Sequence, residues 1–206
     1  MPLLKKSTLL IDLKHNEMLD FEEGEFSEFH KILQSQSLNI EINEDSDLSS
    51  ELLNKADMLI IANPINEYFS TLEVKNITDF VRTGGRLLII SEYGADFLQK
   101  TNLNDITQKH FGIYFEKNIL KEDSKKNENC SSILNINQFE ENEITKKLRQ
   151  IRIGGSCSLL LNKHAKPLLY ANGSTWAEFY QESTGKWKKE EQIGRASCRE
   201  RVCHRV

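Results

Sequence analysis

The chain has 206 residues, 38% of them hydrophobic and 28% charged, which suits a globular domain with a substantial core and excludes a disordered or fibrous chain. Its formal charge of −4 argues against a nucleic-acid-binding surface, and no run reaches the roughly 20 apolar residues of a membrane span. Met1–Lys6 carries no apolar signal stretch, and the four cysteines have neither Cys-x-x-Cys spacing nor a disulfide pattern. The expectation is therefore a cytoplasmic protein with no metal, no cofactor and no nucleic-acid partner.

Thr8–Leu13 is an apolar run that predicts a buried first strand, with Lys14–Glu17 as its loop. Phe26, Phe29, His30 and Leu33 recur at helical spacing and predict a helix over about 25–36. Leu38–Ile42 alternates with period two, as an outer strand does, and Asp47–Leu53 offers a short capped helix. Asp57–Ala62 is the next central strand, broken by Asn63-Pro64. Ser70 with Glu73 three residues on signals the start of a helix over Thr71–Thr83, with Leu72, Ile77, Phe80 and Val81 on its buried side.

Gly84-Gly85 stops that helix, Leu87–Ile90 reads as a strand too apolar for a surface, and Ser91-Glu92-Tyr93-Gly94 turns out of the core. Helices follow over Ala95–Lys100 and Asn102–His110. Gly112–Phe115 is a short strand, Lys121–Asn129 a charged loop, and Ile133–Ile136 an edge strand. Glu143–Leu148 reads as a short helix, with late strands at Ser158–Leu161 and Leu168–Ala171. Strands alternating with helices predict an α/β, doubly wound, mostly parallel sheet of flavodoxin-like type in three layers, formed as one domain over 1–192.

The stretch Ile193–Val202 is the translation of ATCGGAAGAGCGTCGTGTAGGGAAAGAGTG, which resembles a sequencing adapter. Residues 193–206 are accordingly expected to be an artefactual, disordered tail, with the native chain continuing differently beyond Gln192. Without its four arginines and one glutamate the remaining charge is −7.

Several segments together resemble the class I glutamine-amidotransferase-like superfamily, most closely its non-catalytic branch. That branch includes gliding-motility and ABC-transporter auxiliary domains and an intraflagellar-transport-type domain. The resemblance runs through Asp12 with His15-Asn16-Glu17, Ala62-Asn63-Pro64, Gly84-Gly85-Arg86, Thr101–Asn104 and Phe111-Gly112-Ile113. It continues through Asn142–Thr145, Ile153-Gly154-Gly155, Pro167-Leu168-Leu169 and Thr175–Glu178. Catalytic members carry a Cys on the turn that Ser91–Gly94 resembles, and here its place falls on Glu92. The resemblance thus implies that amidotransferase chemistry is absent.

The parallel-sheet rule gathers Asp12, His15, Asn16, Glu17, Asn63, Ser91, Glu92 and Tyr93 on the rim at the strands' carboxyl ends. Two readings stand. In one, the rim binds a protein partner or a small ligand without chemistry. In the other, Glu92 serves as base with His15 or Asp12 for hydrolysis. Trp176, Phe179 and Tyr180 form an aromatic group suited to packing or to a partner surface.

Overall fold

The computed structural model describes residues 6–16, 24, 26–122, 132–189 and 201–202. Glu17, Cys130, most of the expected loop Lys121–Asn129 and all of the adapter-like tail except Arg201–Val202 lie outside the described residues. Two compact units are present, one of Met1–Ile90 with Lys100–Asn102, the other of Ser91–Gln99 with Leu103–Val206.

The first unit is built on four parallel strands: β1 (Ser7–Asp12), β2 (Leu38–Asn43), β3 (Met58–Ala62) and β4 (Arg86–Ile90), in the order β2-β1-β3-β4. In register, Leu9 lies between Ile40 and Met58, and Ile60 opposite Leu88. The five residues after Ser7 in β1 are all buried, as expected of a strand with neighbours on both sides. Leu9, Ile11, Ile60, Ala62 and Ile90 form a cluster on one face, against which Phe26, Phe29 and Leu33 pack. The last two belong to α1 (Ser27–Ser35), the helix their spacing predicts.

Ser49 caps α2 (Ser50–Leu53), its side chain accepting from Leu52 N at 3.2 Å. α3 (Thr71–Arg82) opens with the capping box the sequence announces, Ser70 and Glu73 satisfying each other's backbone N–H groups. Ile77 and Phe80 are buried on it, but Leu72 is 65% exposed, contrary to expectation. Leu72 lies in the first turn, five positions from Ile77 and therefore off its face. Gly84, at φ +108°, leaves the helix through a conformation that suits glycine. The run Leu87–Ile90 also departs from its reading, since β4 is an edge of this sheet and only Ile90 is fully buried.

The second unit is mostly antiparallel. It begins with the short helices α4 (Ala95–Gln99) and α5 (Leu103–Phe111). Asp96 closes the start of α5, accepting from Leu103 N at 2.8 Å and Asn104 N at 2.9 Å. β5 (Ile113–Phe115), β6 (Asn118–Glu122), β7 (Ile133–Ile136), β8 (Gln138–Phe139) and β9 (Ile151–Gly154) follow. Then come β10 (Leu159–Leu161), β11 (Leu169–Tyr170), β12 (Thr175–Gln181), β13 (Lys186–Lys189) and β14 (Arg201–Val202). The pairings are β14-β10-β5, β11-β8, β13-β12-β6 and β7-β9. Short connections such as the turn between β12 and β13 leave no room for crossover helices, so the parallel pattern is confined to the first unit.

Glu143–Leu148 is a series of turns rather than a helix. Asn142 Oδ1 accepts from Ile144 N at 3.0 Å and the Thr145 hydroxyl donates to Glu140 O at 2.5 Å, local bonds that compete with a helical ladder. Leu120, Leu134, Ile136, Ile153, Leu169 and Ala177 form this unit's apolar cluster. Among the described residues no helix is long and apolar enough to cross a membrane.

Candidate functional site

In the first unit the chain order reverses between β1 and β3, with β2 beyond the one and β4 beyond the other. Open α/β sheets leave a ligand crevice at the carboxyl ends of strands at such a point. Asp12 ends β1 there, and Asn63 follows β3.

Asp12 is 0% exposed, and each of its oxygens has a partner. Asn43, at the end of β2, donates through Nδ2 to Oδ1 at 2.6 Å, and His15 Nδ1 donates to Oδ2 at 2.6 Å. His15 is 1% exposed, its ring stacked on Phe69 with centroids 4.0 Å apart. Its Nε2 stands 3.2 Å from Glu73 Oε1 but is not aligned as a hydrogen bond.

Glu73 also accepts from Ser70 N at 2.9 Å, from the Ser70 hydroxyl at 2.8 Å and from Leu48 N at 3.2 Å. Burial works against its ionisation. The bonds from Ser70 and Leu48 and the proximity of His15 outweigh it and hold the carboxyl below the usual glutamate range. Lys14 Nζ lies 2.6 Å from Asp47 and 3.7 Å from Glu73, and its pKa is raised, chiefly by the bond to Asp47. At the end of β1 the side chains that could line such a crevice are thus buried. An imidazole lies between two carboxylates, roofed by a phenyl ring.

The other rim residues divide. Asn16 is exposed, adopts φ +54° and donates through Nδ2 to Ile65 O at 2.8 Å, joining the loops that follow β1 and β3. Asn63, at φ +51°, donates its backbone N–H to Ile90 O at 2.8 Å, and its buried Oδ1 has no hydrogen-bond partner among the described residues. Ser91, Glu92 and Tyr93 belong to the second unit. There Ser91 is buried, Glu92 O accepts from Ala95 N at 3.1 Å, and Tyr93 N donates to Gly155 O at 2.9 Å. The Tyr93 ring lies 6.0 Å from Trp187, which in turn meets Tyr180 edge-on at 5.4 Å. Trp176 is engaged on β12, its Nε1 donating to Glu178 at 3.1 Å with Lys189 Nζ 4.1 Å over its ring.

Sequence reasoning missed Glu73, Asn43 and Phe69 as partners of Asp12 and His15. Glu73 is legible as a capping residue, but nothing local signals its second role beside His15. It also missed a buried cluster in the second unit, where the Ser158 hydroxyl donates to Glu116 at 2.5 Å and Asn118 Nδ2 donates to Ser158 Oγ at 2.8 Å. All three residues are buried, so this serine and carboxylate bind β10 to the turn between β5 and β6 and are closed to a substrate. Among the described residues no group of three or more His, Cys, Asp or Glu is placed to hold a metal ion.

The profile of the IFT52 GIFT domain matches residues 8–127, more than half of the sequence and all of the rim residues above. The chain belongs to the IFT52 GIFT domain family. Among solved structures, this GIFT-family chain is similar to the mmIFT52 N-terminal domain, with 19% identity over 87% of this chain and 82% of that one and a TM-score of 0.71. It is also similar to a putative ThuA-like protein from Bacteroides uniformis ATCC 8492, with 16% identity over 84% and 71% of the two chains and a TM-score of 0.54. At these identities the likeness is one of fold. No curated protein matches the GIFT-family sequence.

Proposed function

We propose that this chain is a non-catalytic protein-interaction module of intraflagellar-transport type, acting in a cilium-associated assembly. We further infer that its fold derives from the class I glutamine-amidotransferase-like group with the chemistry lost. The family membership supports the first statement, and the ThuA-like neighbour together with Glu92 at the elbow position supports the second. Right-handed crossovers in the order β2-β1-β3-β4 would put α1 and α3 on opposite faces, which supports the three-layer reading of the first unit.

The observation that carries the non-catalytic reading is the burial of Asp12 and His15. A general acid or base must reach a substrate proton, and both side chains are sealed and consumed by Asn43, Phe69 and Glu73. This burial weighs against the hydrolase alternative through Glu92, His15 and Asp12. That alternative is tested by assaying the purified protein and its Glu92→Gln variant against a panel of activated esters and amides. The expected result is equal background rates for both. Turnover well above background that Glu92→Gln abolishes would overturn the reading.

A further inference from the structure

β2 is the outermost strand of its sheet, and no strand lies along its outer edge among the described residues. Natural sheets protect such an edge with charged side chains, lysine above all, with proline or with a bulge, and Leu38-Asn39-Ile40-Glu41-Ile42 carries only Glu41 of these. Leu38 and Ile40 lean into the core cluster beside Phe29 and Leu33, whereas Ile42 is 46% exposed and Ile32, on α1, is 60% exposed. The single charge on this stretch is Glu41, whose Oε1 accepts from Asn39 Nδ2 at 2.9 Å on the same strand.

We propose that the β2 edge pairs antiparallel with the β2 edge of a second copy of this chain, joining two four-stranded sheets into one of eight. The occupant is argued from self-complementarity about a two-fold axis. With Ile40 opposite Ile40, Leu38 meets Ile42 of the second copy, so all three apolar side chains pair on one face. On the other face each Asn39 amide meets Glu41 of the second copy. Sliding by one pairing sets Glu41 against Glu41, which is repulsive. Sliding the other way sets Asn39 against Asn39 and leaves Ile42 without a partner. The two-fold axis stands perpendicular to the sheet and puts both copies of α1 on the same face. Five paired residues form a small interface, so the association is weak and reversible, with Kd on the order of 10–100 µM.

Sedimentation velocity on the whole chain from about 5 to 500 µM, in reducing buffer to exclude disulfide-linked species, tests this. Wild type is expected to shift from monomer to dimer across the range. Asn39→Lys puts a cation opposite Glu41 of the second copy and is expected to tighten the dimer about three- to tenfold, while Asn39→Glu is expected to weaken it at least as much. Residue 39 is exposed, so neither change burdens the fold, and circular dichroism spectra matching wild type would confirm it. A chain that stays monomeric throughout overturns the proposal, and so does a dimer whose Kd moves with neither variant.

Discussion

Glu73 ties three segments together through one carboxylate: the start of α3 through Ser70, the start of α2's loop through Leu48 N, and the loop after β1 through His15. Replacing it with alanine leaves Leu48 N and Ser70 N without their acceptor and removes the negative neighbour of a buried imidazole. Glu73→Ala is expected to lower stability by about 2–4 kcal/mol in urea unfolding with an unchanged m-value, the sum of a lost cap and an orphaned buried group. A change below about 0.5 kcal/mol would mean that the network is peripheral. The placing of Asp12 and His15 at a strand end was legible in the sequence, because strand-end position and residue type are local facts; their bond to each other was not. Their burial was not legible, because Phe69 and Glu73 reach His15 from 54 and 58 positions further along the chain, Asn43 reaches Asp12 from 31, and only the packed fold brings them there.

Among the elements, those with strong local chemistry were readable. The capping box of α3, the alternation of β2 and the glycine stop before β4 each state their structure within a few residues. Glu143–Leu148 was misread because its Asn and Thr side chains divert the backbone into turns. β6, β8, β9, β12 and β13 went unread because each takes its identity from its antiparallel partner rather than from an apolar run. The turn after β4 carries its own test. Gly94 sits at φ +76°, and a Cβ there would lie 2.4 Å from Leu98 side-chain atoms. Gly94→Ala is expected to cost about 1–3 kcal/mol by thermal or urea unfolding, from left-handed backbone strain with added crowding. A neutral effect would show that the turn relaxes freely and does not shape the entry to α4.

For the molecule as a whole, ionised carboxylates inside polar networks set the response to acid. Burial opposes the ionisation of Glu73, Glu122 and Glu178, and in each the hydrogen bonds received outweigh it, leaving the folded pKa depressed. Groups shifted this way contribute stability that is present above the ordinary glutamate value and lost as pH falls through the folded one. Asp96 runs the other way, since burial raises its pKa and its contribution favours folding at lower pH and fades as pH rises. With four depressed carboxylates, Asp79 beside Lys75 being the fourth, against one raised, unfolding free energy is expected to fall as pH drops from about 5 to 3, and Glu73→Gln is expected to flatten that slope. Stability that holds constant or rises toward pH 3 would show that these bonds are not retained in solution.

The proposal that this domain works by holding other proteins rests on the family match and on the burial of Asp12 and His15. Affinity purification of the protein from its native cells, with wild type and Glu92→Gln compared side by side, tests this most directly. The expected result is the same set of stoichiometric partner proteins, belonging to a ciliary transport assembly, recovered with both forms. Recovery of no stable partner with either form would contradict the account.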